Sequence, residues 1–128
     1  MSRYKKNVGD FGESAAAEML AKRGYYIMER QYHTKFGEID IIALTPDKGA
    51  IVFVEVKTRK DAVYGRAALS VNSTKIRRIV KSAQQYLLDN PMEAEIRFDV
   101  IEVYMNCGNT RINHIENAFP DVSEYVDF

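Results

Sequence analysis

The segment from Glu38 to Lys57 constrains this chain more than any other. Two β-rich runs, Glu38–Leu44 and Ile51–Lys57, flank Pro46-Asp47-Lys48-Gly49, where proline fixes φ and glycine is available for φ > 0. The pattern predicts a hairpin. A symmetric turn sets Asp40 opposite Glu55, Glu38 opposite Lys57, Ile42 opposite Phe53 and Leu44 opposite Ile51. Side chains alternate along a strand, so all of these share one face. The other face, Ile39, Ile41, Ala43, Val52, Val54 and Val56, is wholly apolar and predicted to be buried.

The first face is apolar near the turn and ionisable at its open end. Directly opposed residues have Cβ atoms about 4.5–5.5 Å apart, where like charges destabilise the pair. Two carboxylates held that close need a reason to stay ionised, and a divalent cation supplies one: hard oxygen ligands suit Mg²⁺ or Mn²⁺. Lys57, two residues beyond Glu55 on the same face, can reach a water or phosphate at such an ion. Taken singly, each residue has an ordinary explanation. Asp40 could face solvent at a sheet edge, and Glu38 with Lys57 could form a surface ion pair worth little. The set is more informative than its members.

A helix is predicted from Asp10 to just before Gly24, a suitable C-terminal stop. Two readings of Glu13 stand side by side. Asp10-x-x-Glu13 is a capping-box pattern. Glu13 also lies with Ala16, Ala17 and Leu20 on the sheet-facing side, from which it could join the same ion directly or through water. Tyr25–Tyr32 reads as a strand, Arg59–Ser73 as a loop and Thr74–Asp89 as a helix closed by Pro91. In that helix Ile76, Ile79, Val80, Ala83 and Leu87 form the apolar face, and Lys75, Arg78 and Ser82 lie on another side. Ile96–Met105 is a further strand and Thr110–Ile115 a short last one, with no periodic pattern after Pro120. The order α-β-β-β-α-β(-β) predicts an α/β fold, a mixed sheet flanked by helices. At 128 residues the chain fits one domain, with a core over about 9–116 and a tail over 117–128.

Net charge is zero, yet its distribution is uneven. From Lys57 to Lys81 many bases face a single acid, Asp61, whereas beyond Asp89 acids dominate. One positive face within a neutral whole would suit a nucleic acid, although helix-surface bases also serve solvation. No apolar run approaches the roughly 20 residues of a membrane span, and the N-terminus lacks a signal peptide's apolar stretch, so a cytoplasmic protein without a membrane partner is expected. Cys107 is the only cysteine and reads as incidental. His33 and His114 give no zinc pattern, and neither a phosphate-binding glycine loop nor a serine nucleophile motif is present. Asp99, in Arg97-Phe98-Asp99-Val100, is expected to pair with Arg97 or another base.

Gly37-Glu38-Ile39-Asp40 followed by Phe53-Val54-Glu55-Val56-Lys57-Thr58-Arg59 resembles the PD-(D/E)XK nuclease superfamily. Gly12-Glu13, Gly24-Tyr25, the basic helix ending Gln85-Tyr86-Leu87 and Arg97-Phe98-Asp99-Val100 narrow the resemblance to the YraN family of uncharacterised bacterial proteins, over roughly residues 9 to 104. That resemblance implies a restriction-endonuclease-like fold related to Holliday-junction resolvases. It implies Asp40, Glu55 and the Val56 carbonyl as ligands of Mg²⁺ or Mn²⁺, Lys57 as the residue that orients water, and Glu13 as the helix-borne acid. The expected activity is phosphodiester hydrolysis of DNA, less readily RNA, with Arg59, Lys60, Arg66, Lys75 and Arg78 on backbone phosphates. Resolvase-like relatives suggest a homodimer. Gln31-Tyr32-His33-Thr34-Lys35 departs from the usual Asn-x-Arg-x-Arg flavour and weakens one basic contact. The rivals are a nucleic-acid-binding module that does not cut and a protein-interaction scaffold.

Overall fold

A computed structural model describes residues 3–60, 72–106, 108–119 and 122–125. Its elements run α1 (Arg3–Lys22), β1 (Tyr26–Thr34), β2 (Gly37–Leu44), β3 (Ala50–Lys60), α2 (Ser73–Asp89), β4 (Glu95–Asn106), β5 (Asn109–Ile115) and a 3₁₀ turn at Ser123–Tyr125. Arg66 and Cys107 lie outside the described residues.

The strands form one mixed sheet in the order β1-β2-β3-β4-β5. β3 and β4 are parallel, joined by the crossover that contains α2, and the other neighbours are antiparallel. Alternation sends Ile41, Ala43, Val52, Val54, Ile101 and Val103 to one face, where Ala16, Ala17 and Leu20 of α1 cover them. Ile42, Ile51, Phe53, Phe98 and Val100 pack on the opposite face beneath Ile79, Val80, Ala83 and Tyr86 of α2. The outcome is a restriction-endonuclease-like α/β fold, a sheet between helices. Phe119 is buried and Ala118, Val122 and Tyr125 pack beside it, so the described part of the tail helps close the α2 side. Among the described residues no helix is long and apolar enough to cross a membrane.

Helix α1 stops as expected: Gly24 takes φ 91°, and Tyr25 N–H donates back to the Leu20 carbonyl. Its start differs. The helix begins at Arg3, so Asp10 is an exposed mid-helix residue and no capping box forms. Extension past the only apolar periodicity explains why the sequence does not reveal the true start. In the β2–β3 turn, Lys48 rather than Gly49 takes positive φ, at 62°. Asp47 closes this turn by accepting from Gly49 N–H at 2.8 Å and from the Thr45 hydroxyl at 2.7 Å. Strand β3 runs to Lys60, past the expected start of the loop at Arg59, because it stays paired with β4 as far as Met105. Helix α2 is capped by Asn72, whose side chain accepts from Lys75 N–H at 2.9 Å.

Candidate active site

The expected hairpin register is present, with Leu44 paired to Ile51, Ala43 to Val52, Ile42 to Phe53 and Ile41 to Val54. There the ladder ends. Asp40–Glu55 and Glu38–Lys57 are therefore not ladder pairs, which corrects the expected register at its open end. Across β1, Arg30 pairs with Ile41 and Tyr32 with Ile39, while Gln31 between them adopts φ 51°. Strict alternation breaks at this point. Ile41 packs on the α1 side but Ile39 joins the α2-side core, contrary to its expected face. The hairpin opens at Asp40, whose Oδ2 accepts a 2.7 Å hydrogen bond from the Val56 N–H in place of a ladder partner. Glu38 is exposed and contacts His33 at 3.4 Å rather than Lys57.

Asp40 and Glu55 nevertheless line one cavity of about 610 Å³, together with Gly37, Glu38, Asn72, Thr74, Lys75, Arg78 and Ile79. Glu55 is buried, and its Oε1 receives two ammonium groups: Lys75 at 2.7 Å and Lys57 at 3.6 Å. Burial, then the charge of Glu55, pushes the Asp40 carboxyl up to about 8; Glu13 and Glu38 add to the rise and the Val56 N–H opposes it. Burial and the adjacent Lys75 lower the pKa of Lys57, against the pull of Glu55. Burial works the same way on Lys75, but Glu55 outweighs it and holds this ammonium charged. The rest of the hairpin can sustain such a site. Ile41, Ile42, Ile51, Val52, Phe53 and Val54 are each at most 1% exposed. At ~1.5–3 kcal/mol per buried side chain, their burial outweighs the cost of one crowded carboxyl.

Glu13 reaches this region from α1. Gly12 permits it: a Cβ there would overlap the Thr58 side chain, so only glycine lets α1 lie this close to β3. Glu13 is 6% exposed and accepts from Arg30 Nε at 3.3 Å and Gln31 Nε2 at 3.4 Å. These bonds, not a capping box, hold it. Its charge is felt at Asp40, although it does not line the cavity.

Among the described residues no group of three or more His, Cys, Asp or Glu is gathered around one point. A hard ion of the Mg²⁺ type does not require one, because it keeps several waters and uses one or two carboxylates. Asp40 and Glu55 provide two, with the Val56 main chain beside them. Burial and neighbouring acids disfavour the Asp40 carboxylate, and a divalent cation beside it would favour the ionised form. The donor chemistry of these two carboxylates fits a divalent cation of this type.

The basic residues singled out in the sequence divide. Arg78 is exposed at the cavity and Lys60 is exposed at the end of β3. Arg59 is drawn to Glu102 at 3.5 Å. Lys75 turns inward to Glu55. Its inward course was readable: Lys75, Ile79, Ser82 and Tyr86 form a helical stripe, and the last three are buried. Ser82, expected on another side, is fully buried and shares a 2.8 Å hydrogen bond with the Thr34 hydroxyl. Arg30 and Gln31, the partners of Glu13, gave no sequence signal. Asp99 pairs with Arg97 through two 2.9 Å contacts, as expected, and also meets His114 Nε2 at 2.7 Å and Asn117 N–H at 3.0 Å. Burial opposes its ionisation, but these bonds hold its carboxyl below the usual range.

Comparison with known proteins gives the family. The chain is similar to a UPF0102 protein of Caldanaerobacter subterraneus subsp. tengcongensis, 47% identical over 119 residues that cover 90% of this chain and 96% of that one. A UPF0102 protein of Clostridium botulinum strain 657 is 45% identical over 123 residues, covering 93% and 98%. Among solved structures, SfsA of Pyrococcus furiosus in complex with Ca²⁺ aligns at a TM-score of 0.39 and 15% identity, over 88% of this chain and 63% of that one, which is too loose to bear on the site. The model of the uncharacterised protein family UPF0102 matches residues 12–103, a span that contains Glu13, Asp40, Glu55, Lys57 and Asp99. The chain belongs to UPF0102, the YraN family of uncharacterised bacterial proteins related to the PD-(D/E)XK nucleases.

Proposed function

We propose that this protein is a Mg²⁺- or Mn²⁺-dependent endonuclease that hydrolyses phosphodiester bonds in branched or otherwise structured DNA. One observation carries the reading: the hairpin opens at Asp40, which lines one cavity with Glu55, and Lys57 contacts Glu55 there. Asp40, Glu55 and the Val56 carbonyl would hold the ion. When bound, it supplies Lewis-acid chemistry, acidifying water and offsetting charge that develops on phosphate oxygens. Lys57, anchored by Glu55, orients the attacking water, and its lowered pKa brings it closer to exchanging a proton with that water. Glu13 adds negative charge behind Asp40 and favours ion binding. Arg78 and Lys60, with Arg59, Arg66 and Lys75, contact backbone phosphates, so affinity falls as salt rises.

The test compares wild type, Asp40→Ala and Lys57→Ala on branched, flapped and linear DNA with Mn²⁺. Both substitutions are expected to abolish cleavage. Equal activity in all three removes the assignment. A second reading, a DNA-binding module that does not cut, draws on the close Lys75–Glu55 pair, which occupies an oxygen an ion would use. DNA binding that is metal-independent and unchanged by Asp40→Ala supports that reading.

A further inference from the structure

Lys75 carries an inference that rests on the proposed ion site and concerns its control. Two ammonium groups share Glu55 Oε1, and the closer one, Lys75 at 2.7 Å, does not come from the strand that bears Glu55. It comes from the first turn of α2. Crowding like charges on one oxygen is costly, and the two lysines differ in their alternatives. The side chain of Lys57 is 17% exposed, whereas that of Lys75 is 40% exposed and opens onto the cavity. Lys75 can therefore leave Glu55 without being stranded in an apolar interior. A divalent cation bound between Asp40 and Glu55 through Oε1 competes with Lys75 for that oxygen, and bound through either oxygen it repels the nearby ammonium. The ion and the Lys75–Glu55 pair therefore disfavour each other.

We infer that Lys75 is a resident counter-cation of Glu55, displaced when the divalent ion enters and released to bind a phosphate of the nucleic acid. The released ammonium lies in the cavity lined by Asn72, Thr74 and Arg78, where an anionic ligand would meet both Lys75 and Arg78. Ion and phosphate each favour the released state, so by linkage each strengthens the binding of the other. Without either, Lys75 neutralises Glu55 and keeps the site closed to other cations.

Calorimetric titration of Mn²⁺ into wild type, Lys75→Met and Lys22→Met tests this, with Lys22→Met controlling for net charge at a distant exposed position. Lys75→Met is expected to bind Mn²⁺ about tenfold or more tightly than wild type, as expected for removal of one charge-assisted contact. Lys22→Met remains near wild type. In parallel, a phosphorothioate duplex resistant to cleavage binds wild type several-fold tighter with Mn²⁺ than without, and Lys75→Met loses that enhancement. Mn²⁺ binding by Lys75→Met alone also supports displacement. Equal or weaker Mn²⁺ binding by Lys75→Met, with wild type binding, overturns the inference and leaves the proposed function standing. No Mn²⁺ binding by any of them overturns both. Lys75→Gln gives the same comparison where Lys75→Met fails to fold.

Discussion

Asp40→Asn isolates the electrostatic tension of the site. The carboxyl stands at about 8 in the folded chain against an ordinary 3.8, so the folded state holds a proton that the unfolded chain releases between those values. Stability therefore falls as pH rises through that window, and the penalty is complete above the upper value. The full displacement spans roughly 5–6 kcal/mol at 1.36 kcal/mol per unit. Coupling to Glu55 and relaxation of the cavity reduce what is measured to about 2–4 kcal/mol. Asparagine has no proton to lose, and its Oδ1 still accepts the Val56 N–H. Urea unfolding of wild type and Asp40→Asn without metal is expected to give similar stabilities near pH 4. By pH 9 the variant is ahead by about 2–4 kcal/mol. Saturating Mn²⁺ then stabilises wild type by ~2.7 kcal/mol at 100-fold excess over Kd, with little effect on the variant. Parallel pH profiles for the two proteins refute the reasoning.

Three further outcomes follow from separate parts of the fold. Gly12→Val drives α1 off β3 and costs about 2–3 kcal/mol in urea unfolding, a loss partly recovered by adding Thr58→Ala. Asp99→Asn leaves the partly buried Arg97 without its main counter-ion and costs about 3–5 kcal/mol at pH 7. Because the Asp99 carboxyl is held below its usual range, the wild-type contribution is present above about pH 4. It fades as pH falls, so the two chains converge in acid. Arg78→Ala reduces the salt dependence of DNA binding by about one unit of slope with little change in substrate preference.

Much of this was legible from residue types alone. Thr45–Ala50 and the apolar runs beside them set the hairpin register, and the pairs from Leu44–Ile51 to Ile42–Phe53 appear as read. The Arg97–Asp99 pair followed from two residues on one strand face. What escaped was the break in alternation. Nothing in Gln31 announces φ 51°, a conformation rare outside glycine, and it lies across from the stretch where Ile39 and Ile41 part to opposite faces. Glu13 was legible as a sheet-facing acid, but its partners Arg30 and Gln31 come from β1, which only the tertiary fold brings beside α1. Lys75 was read by charge as a phosphate contact, although its place on the Ile79–Ser82–Tyr86 stripe already pointed inward. A polar residue at the end of a buried helical stripe can be drawn in by a partner that only the tertiary fold supplies.

The proposed cation site lies where the hairpin opens at Asp40 and is shared with Glu55. A crystal grown in Mn²⁺, with data collected at the manganese absorption edge, tests it most directly. The account predicts one anomalous peak within about 2.0–2.3 Å of oxygens from both residues, with the Lys75 ammonium moved off Glu55. A crystal saturated with Mn²⁺ that shows no peak there, Lys75 still on Glu55, contradicts it.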